Sequence, residues 1–222
     1  MRHIATLDDH NIASPNDRDS AGYRPWDMTQ VLWGFAKLGW FRTRDETSAK
    51  VLDSMDRLCS KSLDRSLGNG GRSDLKFDGV DLCNLLQALA LIENACGLKV
   101  SEDLLKRMEV QAGNQAHTLE FAQGVVTTVT GLAKLERDPP NVVKAQLCVQ
   151  ALKRMGKANG QDISNLMWGM AKMGWHPPPQ LLDLLYGRML ETVQMFNRQE
   201  IVNMFWATAI LNVRMGPGDK HW

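Results

Sequence analysis

The sequence has almost no excess of charge of either sign. It contains 26 lysine and arginine residues against 25 aspartate and glutamate residues, which gives a formal net charge of +1 at pH 7. Proteins that bind nucleic acid through strong, salt-dependent contacts usually carry a clear basic excess. The balance therefore disfavours strong nonspecific binding to nucleic acid, although it is compatible with a basic groove on one face of the protein.

Cysteine and histidine are scarce, and neither is arranged for catalysis or metal binding. The four cysteines form no Cys-x-x-Cys pair, and none of the five histidines lies near a cysteine at ligand spacing. This pattern is typical of reduced structural thiols in an intracellular protein. The sequence also shows no Ser–His–Asp or paired-carboxylate constellation. We therefore expect no catalytic residue, no metal site and no cofactor, and we expect that the protein is not an enzyme.

Long apolar runs are absent as well. No segment is long enough to cross a membrane, and no apolar region of the secretory type is present. Asp8, Asp9, Asp17 and Asp19 are unlike a transit peptide, which is poor in acidic residues. The glycine-rich residues 66–74 lack the Gly-Lys-Ser/Thr ending of a phosphate-binding loop and follow no strand, so we interpret them as a mobile surface loop.

What the sequence does contain is a repeat. Residues 33–40 and 168–175 are nearly identical, and a third copy begins at Trp206. Two weaker copies align when Gln87 and Thr130 take the place of the first tryptophan, which we call the anchor. The spacings between the five anchors are 54, 43, 38 and 38 residues. A period of this length indicates an array of supersecondary units.

Each copy is predicted to form an amphipathic helix around its anchor. Apolar residues recur five and one positions before the anchor, and three and five positions after it, which places them on one face of a helix. The position after the anchor is always glycine or alanine, and the third position after it is always alanine, so a second helix could approach closely. Four copies carry an acidic residue six positions before the anchor, where it favours a helix start: Asp27, Asp81, Asp162 and Glu200.

A second amphipathic segment follows the helix in the first four copies. Prolines open it in two copies, at residues 139–140 and 177–179, and polar starts open it in the other two, at residues 44–46 and 101–103. No segment alternates with the period of a strand. The sequence therefore predicts an all-α fold, an α-solenoid of tandem helix–turn–helix repeats of about 38 residues in four to five copies.

The repeats set the expected boundaries. Residues 1–22 have few large apolar groups and are predicted to be disordered, and residues 215–222 are predicted to form a tail. Because the chain ends where a second helix should begin, we expect a piece of a longer array, a partial gene model or a protein capped by a partner. The array is predicted over residues 23–214, with units at 26–64, 77–113, 119–156, 161–195 and, in part, 198–214.

The unit resembles the octotricopeptide repeat family. Repeats of that family are helical hairpins of similar length, with the first-helix motif Asn-Leu-x-Trp-Ala/Gly-x-Ala-x-Leu-Gly and a Pro-Pro-Pro linker. The fourth copy matches almost throughout, in residues 165–174 and 177–179, and the fifth matches in residues 203–209. The first copy lacks the prolines, and the second and third copies are degenerate.

The resemblance implies an RNA-binding protein of a chloroplast or mitochondrion that acts in RNA stability, processing or translation. The partner that it implies is single-stranded RNA, either organellar mRNA or rRNA. The alternative is a protein-interaction scaffold, or a structural subunit of an organellar ribosome or other assembly, without direct base readout. Other proteins would then dock at the uncapped C-terminal end.

Helical projection identifies the side chains that could contact RNA. Repeat proteins can read one base per unit with two or three side chains. The polar position three residues before the anchor is the candidate for base contact, and a lysine four residues after it could meet a phosphate. The candidates are Gln30, Asn84, Thr127, Asn165 and Asn203 at the first position, Lys37, Lys134 and Lys172 at the second, and Gln161 beside them. Alternatively, the asparagines only hydrogen-bond a neighbouring turn, and the lysines are solvated charges. The anchor tryptophans are interpreted as packing residues.

Overall fold

The computed structural model describes residues 24–43, 45–67 and 77–212, and every regular element within these ranges is helical. The predicted all-α class is confirmed for this part of the chain. The predicted disordered segment, the tail and residues 68–74 of the glycine-rich stretch lie outside the described residues. The helices are α1 (Pro25–Lys37), α2 (Glu46–Leu67), α3 (Gly79–Leu91), α4 (Glu102–Asn114), α5 (Ala122–Lys134), α6 (Asn141–Arg154), α7 (Gly160–Lys172), α8 (Pro179–Thr192) and α9 (Arg198–Ile210).

The chain divides into two compact units, Met1–Ala112 and Gly113–Trp222. In the first unit α1 packs beside α3, and in the second unit α5 packs beside α7 and α7 beside α9. These odd-numbered helices contain the anchors, so the first helices of consecutive copies are neighbours within each unit. The result is a helical-repeat-like architecture. None of the helices in the described ranges combines the length and apolar character that crossing a bilayer requires.

Three described first helices, α3, α7 and α9, begin with a capping box. At α7 the Asp162 backbone N–H donates to Asn159 Oδ1 at 2.9 Å, and the Asn159 backbone N–H donates to Asp162 Oδ2 at 3.3 Å. Each box satisfies two backbone N–H groups that the helix leaves open. At α1 only half of the box forms, because Asp27 accepts from the Arg24 backbone N–H at 3.2 Å but an arginine side chain cannot accept in return. The acidic residues therefore occupy helix starts, as predicted.

The first helices end in a way that explains the Leu-Gly of the motif. In four copies the residue six positions after the anchor has a left-handed conformation, with φ of 68° at Gly39, 55° at Glu136, 63° at Gly174 and 50° at Asn212. This turn lets the Trp175 backbone N–H donate to the Met170 carbonyl at 2.9 Å, which closes α7. Glycine and asparagine adopt the conformation readily, whereas glutamate there costs about 1–2 kcal/mol. The second copy instead runs into the π-helical turn Ile92–Cys96.

The apolar stripe predicted for the first helices is buried in the inner copies. Leu86 of α3, Val129 of α5 and Met167 of α7, for example, are each 0% exposed. Leu38, which belongs to the same pattern, is 83% exposed. The small position after the anchor permits the predicted close approach, because a Cβ atom on Gly169 of α7 would lie only 2.9 Å from Val129 Cγ1 of α5.

At the starts of α1 and α3, the carboxylates of Asp27 and Asp78 influence the pKa of Asp81. Burial, and after it the charge of Asp78, raise the pKa of Asp81 to about 6. The hydrogen bond from the Asp78 backbone N–H opposes this rise, and the charge of Asp27 adds to it. The pKa of an aspartate in the unfolded chain is about 3.9. The contribution of Asp81 to stability is therefore fully present below about pH 4 and is lost as the pH rises through about 6.

Asp81→Asn is expected to remove this part of the pH dependence and to raise the free energy of unfolding at pH 7 by about 1 kcal/mol. The amide oxygen can still accept the Asp78 N–H, so the cap is kept. Denaturant unfolding of parent and variant between pH 4 and pH 7 measures the difference. Asp81→Ala is the control, because it also loses the acceptor and should be less stable than Asp81→Asn. If the stability of Asp81→Asn falls with pH as steeply as that of the parent, Asp81 is not the titrating group.

Candidate nucleic-acid interface

The predicted base-contacting residues occupy equivalent positions on neighbouring first helices. Thr127, Asn165 and Asn203 lie on α5, α7 and α9 of the second unit, and each is partly buried. Because these three helices pack side by side, the three side chains form a row, which we call the polar row. In the first unit Gln30 of α1 is exposed and Asn84 of α3 is partly buried.

Two members of the polar row are hydrogen-bonded to each other. Asn203 Nδ2 donates to Asn165 Oδ1 at 3.4 Å, and Asn203 Oδ1 accepts from Gln199 Nε2 at 2.8 Å. Each asparagine thus contacts a neighbouring copy of the repeat, but its partner there is the equivalent side chain rather than a turn. A carboxamide has two N–H donors and an oxygen with two lone pairs. The pair can therefore orient itself and still offer hydrogen-bonding groups to a ligand.

The remaining predicted residues are exposed: Lys37, Lys134, Gln161 and Lys172. Lys37 Nζ lies 4.6 Å from the centre of the Trp33 ring, and Lys172 Nζ lies 3.8 Å from Glu136 Oε1. Contacts of this kind at a protein surface contribute little stability. These lysines can therefore exchange their present partners for a phosphate at small cost, so phosphate binding remains a prediction for them.

A cavity of about 700 Å³ opens beside the start of α5, the end of α6 and the start of α7. Sequence reasoning did not predict it. Residues from three separate segments line it, including Glu120 and Phe121 before α5, Lys153, Arg154 and Lys157 around the end of α6, and Asp162 in α7.

Positive charge predominates around this cavity. Three cations and two carboxylates line it, which leaves a formal excess of one positive charge. Burial raises the pKa of Asp162, although the hydrogen bond from the Asn159 backbone N–H acts in the opposite direction. Asp162 thus ionises less readily than an exposed aspartate. The cavity is suited to an anionic group such as a phosphate.

Phe121 gives the cavity an aromatic wall. Its side chain is 73% exposed, and it immediately precedes α5. Within the described residues α5 has no side-chain cap, and its first turn contains no acidic residue, unlike those of α1, α3, α7 and α9. Exposed aromatic rings beside cations are a common platform for stacking the bases of single-stranded nucleic acid.

Three of the four cysteines lie in surroundings that disfavour reactivity. Cys59, Cys83 and Cys148 are buried, and burial raises the pKa of Cys59 and Cys83 to about 12 and that of Cys148 to about 11. Thiols in such surroundings stay protonated at neutral pH and are poor nucleophiles. In the part of the chain that the structure describes, no group of three His, Cys, Asp or Glu side chains is placed to hold a metal ion.

The polar row and the cavity adjoin each other on α7. Asp162 lines the cavity and lies three positions before Asn165, so the two are separated by one helical turn on the same face.

Comparison with protein-family models and with curated proteins finds no match for this chain.

Proposed function

We propose that this protein binds single-stranded RNA through the polar row and the adjoining cavity of its second unit. The observation that carries the proposal is their juxtaposition on α7, where Asn165 stands one turn from a cavity that has three cations and an exposed phenylalanine. The proposal includes the tandem solenoid arrangement that the repeats predict. In that arrangement each copy of the repeat presents its polar position to one base.

Each part of the site has a distinct role in this proposal. The amides of Asn165 and Asn203 supply donors and acceptors for base edges. Lys153, Arg154 and Lys157 supply charge for phosphates. Phe121 supplies a surface for stacking, which is worth about 1–3 kcal/mol per base. Single-stranded RNA can use all three, because its bases are unpaired and can be splayed onto a protein surface.

The family resemblance supports the cellular setting. On that ground we propose that the protein acts in a chloroplast or mitochondrion, in RNA stability, processing or translation. The motif residues of the fourth and fifth copies carry this part of the proposal.

Pooled single-stranded RNA is expected to be retained by the purified protein at low and at moderate salt. The logarithm of the binding constant should fall with the logarithm of the salt concentration with a slope of about −2, since three cations contribute about −0.7 each. Filter binding or fluorescence anisotropy measures both quantities. Double-stranded RNA of the same composition is the control and should bind more weakly. Absence of retention in both salt conditions contradicts the proposal.

A second function, as a protein-interaction scaffold or structural subunit of an assembly, is favoured by the exposed apolar side chains of α9. Ile201, Val202, Phe205 and Ile210 are each at least 40% exposed. Purification from organellar extract with and without nuclease separates the two functions. Protein partners that resist nuclease favour the scaffold, whereas RNA and its nuclease-sensitive associates favour RNA binding.

A further inference from the structure

Among the described residues, one face of α9 lacks the neighbour that covers the same face of α7. Ile201 and Phe205 of α9 are 40% and 63% exposed. Ile163 and Met167 hold the same repeat positions in α7, a helix against which α9 packs, and both are 0% exposed. The side chains of this face are apolar in both helices, so α9 presents a surface of the kind that an adjacent helix buries.

On α1 a different face is left open by the part of the chain that the structure describes. Val31 and Leu38 are 40% and 83% exposed, whereas the residues at the same positions in α9, Met204 and Leu211, are each 3% exposed. At Gly34, directly after the anchor, no described atom lies within 4 Å of where a Cβ would stand. Thus, within the described ranges, α1 and α9 leave two different faces of the same repeated helix uncovered.

The contact between α5 and α7 shows how these two faces fit together. Gly169, directly after its anchor, packs against Val129, which lies directly before the anchor of the preceding copy. A Cβ at Gly169 would lie only 2.9 Å from Val129 Cγ1. Phe205 holds the position of Val129 in α9, and Gly34 holds the position of Gly169 in α1. The chain therefore presents one half of this contact on α9 and the other half on α1.

We propose that copies of this protein associate head to tail, with α9 of one copy packed against α1 of the next. The α9 face would be occupied by a second copy of this chain, in continuation of the interface that already joins α7 to α9. Phe205 would lie over Gly34 of the second copy. The amide of Asn203 would meet that of the second copy's Gln30, as Asn165 meets Asn203 within the chain. Such an interface joins different surfaces, so association either continues as a filament or closes into a ring, depending on the rotation between copies.

The proposal does not depend on RNA binding, and it is tested on RNA-free protein. Val31→Asp and Phe205→Asp each damage one face, and both side chains are exposed, so neither change should unfold the chain. Sedimentation equilibrium should show an average mass that grows with concentration for the parent and a monomer for each variant alone. An equimolar mixture should form a one-to-one complex, because one variant keeps α9 intact and the other keeps α1.

Val142→Asp is the matched control, since Val142 is 64% exposed on α6 and should leave the association unchanged. Gly34→Leu, which fills the space beside α1 without adding charge, should act like Val31→Asp. Circular dichroism confirms that each variant is folded. A parent that stays monomeric at every concentration overturns the proposal. So does a mixture of the two aspartate variants that remains monomeric, or an association that only Phe205→Asp abolishes, which would indicate pairing of α9 with α9.

Discussion

Single-stranded RNA is expected to bind about tenfold to a few thousandfold more weakly when Phe121→Ala, Lys153→Gln and Lys157→Gln are combined. Loss of one stacked base costs about 1–3 kcal/mol, and each lost lysine contact costs about 0.2–1 kcal/mol. The slope of log binding constant against log salt should become shallower by about 1.4, since two phosphate contacts are removed. All three side chains are exposed, so the fold should be retained.

The matched control for this variant replaces two exposed lysines far along the sequence from the cavity. Lys50→Gln in α2 and Lys106→Gln in α4 remove the same charge, and they should leave affinity within about twofold if binding is local. Asn165→Ala with Asn203→Ala should instead alter the preference among RNA sequences and leave the salt slope unchanged. If the cavity variant binds like the parent, the cavity is not the contact site, while RNA binding by the parent still supports the proposed function.

Gly169→Leu is expected to lower the free energy of unfolding by about 1–3 kcal/mol through overpacking against α5. Even a Cβ at this position would lie 2.9 Å from Val129 Cγ1, and 3.4 Å from the Val129 carbonyl carbon and oxygen. Valine is branched at Cβ and therefore stiff, so it cannot turn aside. The gain in helix propensity on replacing glycine, about 0.8 kcal/mol, offsets only part of the cost.

Gly34→Leu provides the comparison, because the same repeat position in α1 has no described atom within 4 Å of a Cβ. This variant should be as stable as the parent or slightly more stable, through the same propensity gain. Thermal or denaturant unfolding at low protein concentration, where self-association does not contribute, gives both values. Equal effects at the two glycines would show that α5 and α7 do not approach as closely as the structure indicates.

The helices and their ends could be predicted from the sequence because local chemistry determines them. Asp81 and Asp162 identify helix starts through the hydrogen bonds that a carboxylate makes there, and Pro179 begins α8 because its ring is tolerated only in a first turn. The exposure of Leu38 could not be predicted in this way. Periodicity treats every copy as an inner copy, whereas burial depends on whether a neighbouring helix covers that face.

The polar row could be predicted from the sequence, whereas the cavity could not. The row could be predicted because Thr127, Asn165 and Asn203 share a repeat position, so one alignment finds them all. The cavity combines Phe121 with residues of α6 and α7, and no single helical projection contains them. The signal that the sequence did contain was Gly124, which stands six positions before the third anchor, where the other four copies carry an acidic residue.

The hydrogen bond between Asn165 and Asn203 makes adjacent repeats interdependent. Rotating the Asn203 carboxamide by half a turn would place its oxygen against the Asn165 oxygen and its nitrogen against the Gln199 nitrogen, so both hydrogen bonds would be lost together. The orientation of one amide therefore fixes that of the other. A substitution of Asn165 in the fourth copy therefore removes an acceptor of the Asn203 amide in the fifth, so engineering of specificity should treat the two copies as a pair.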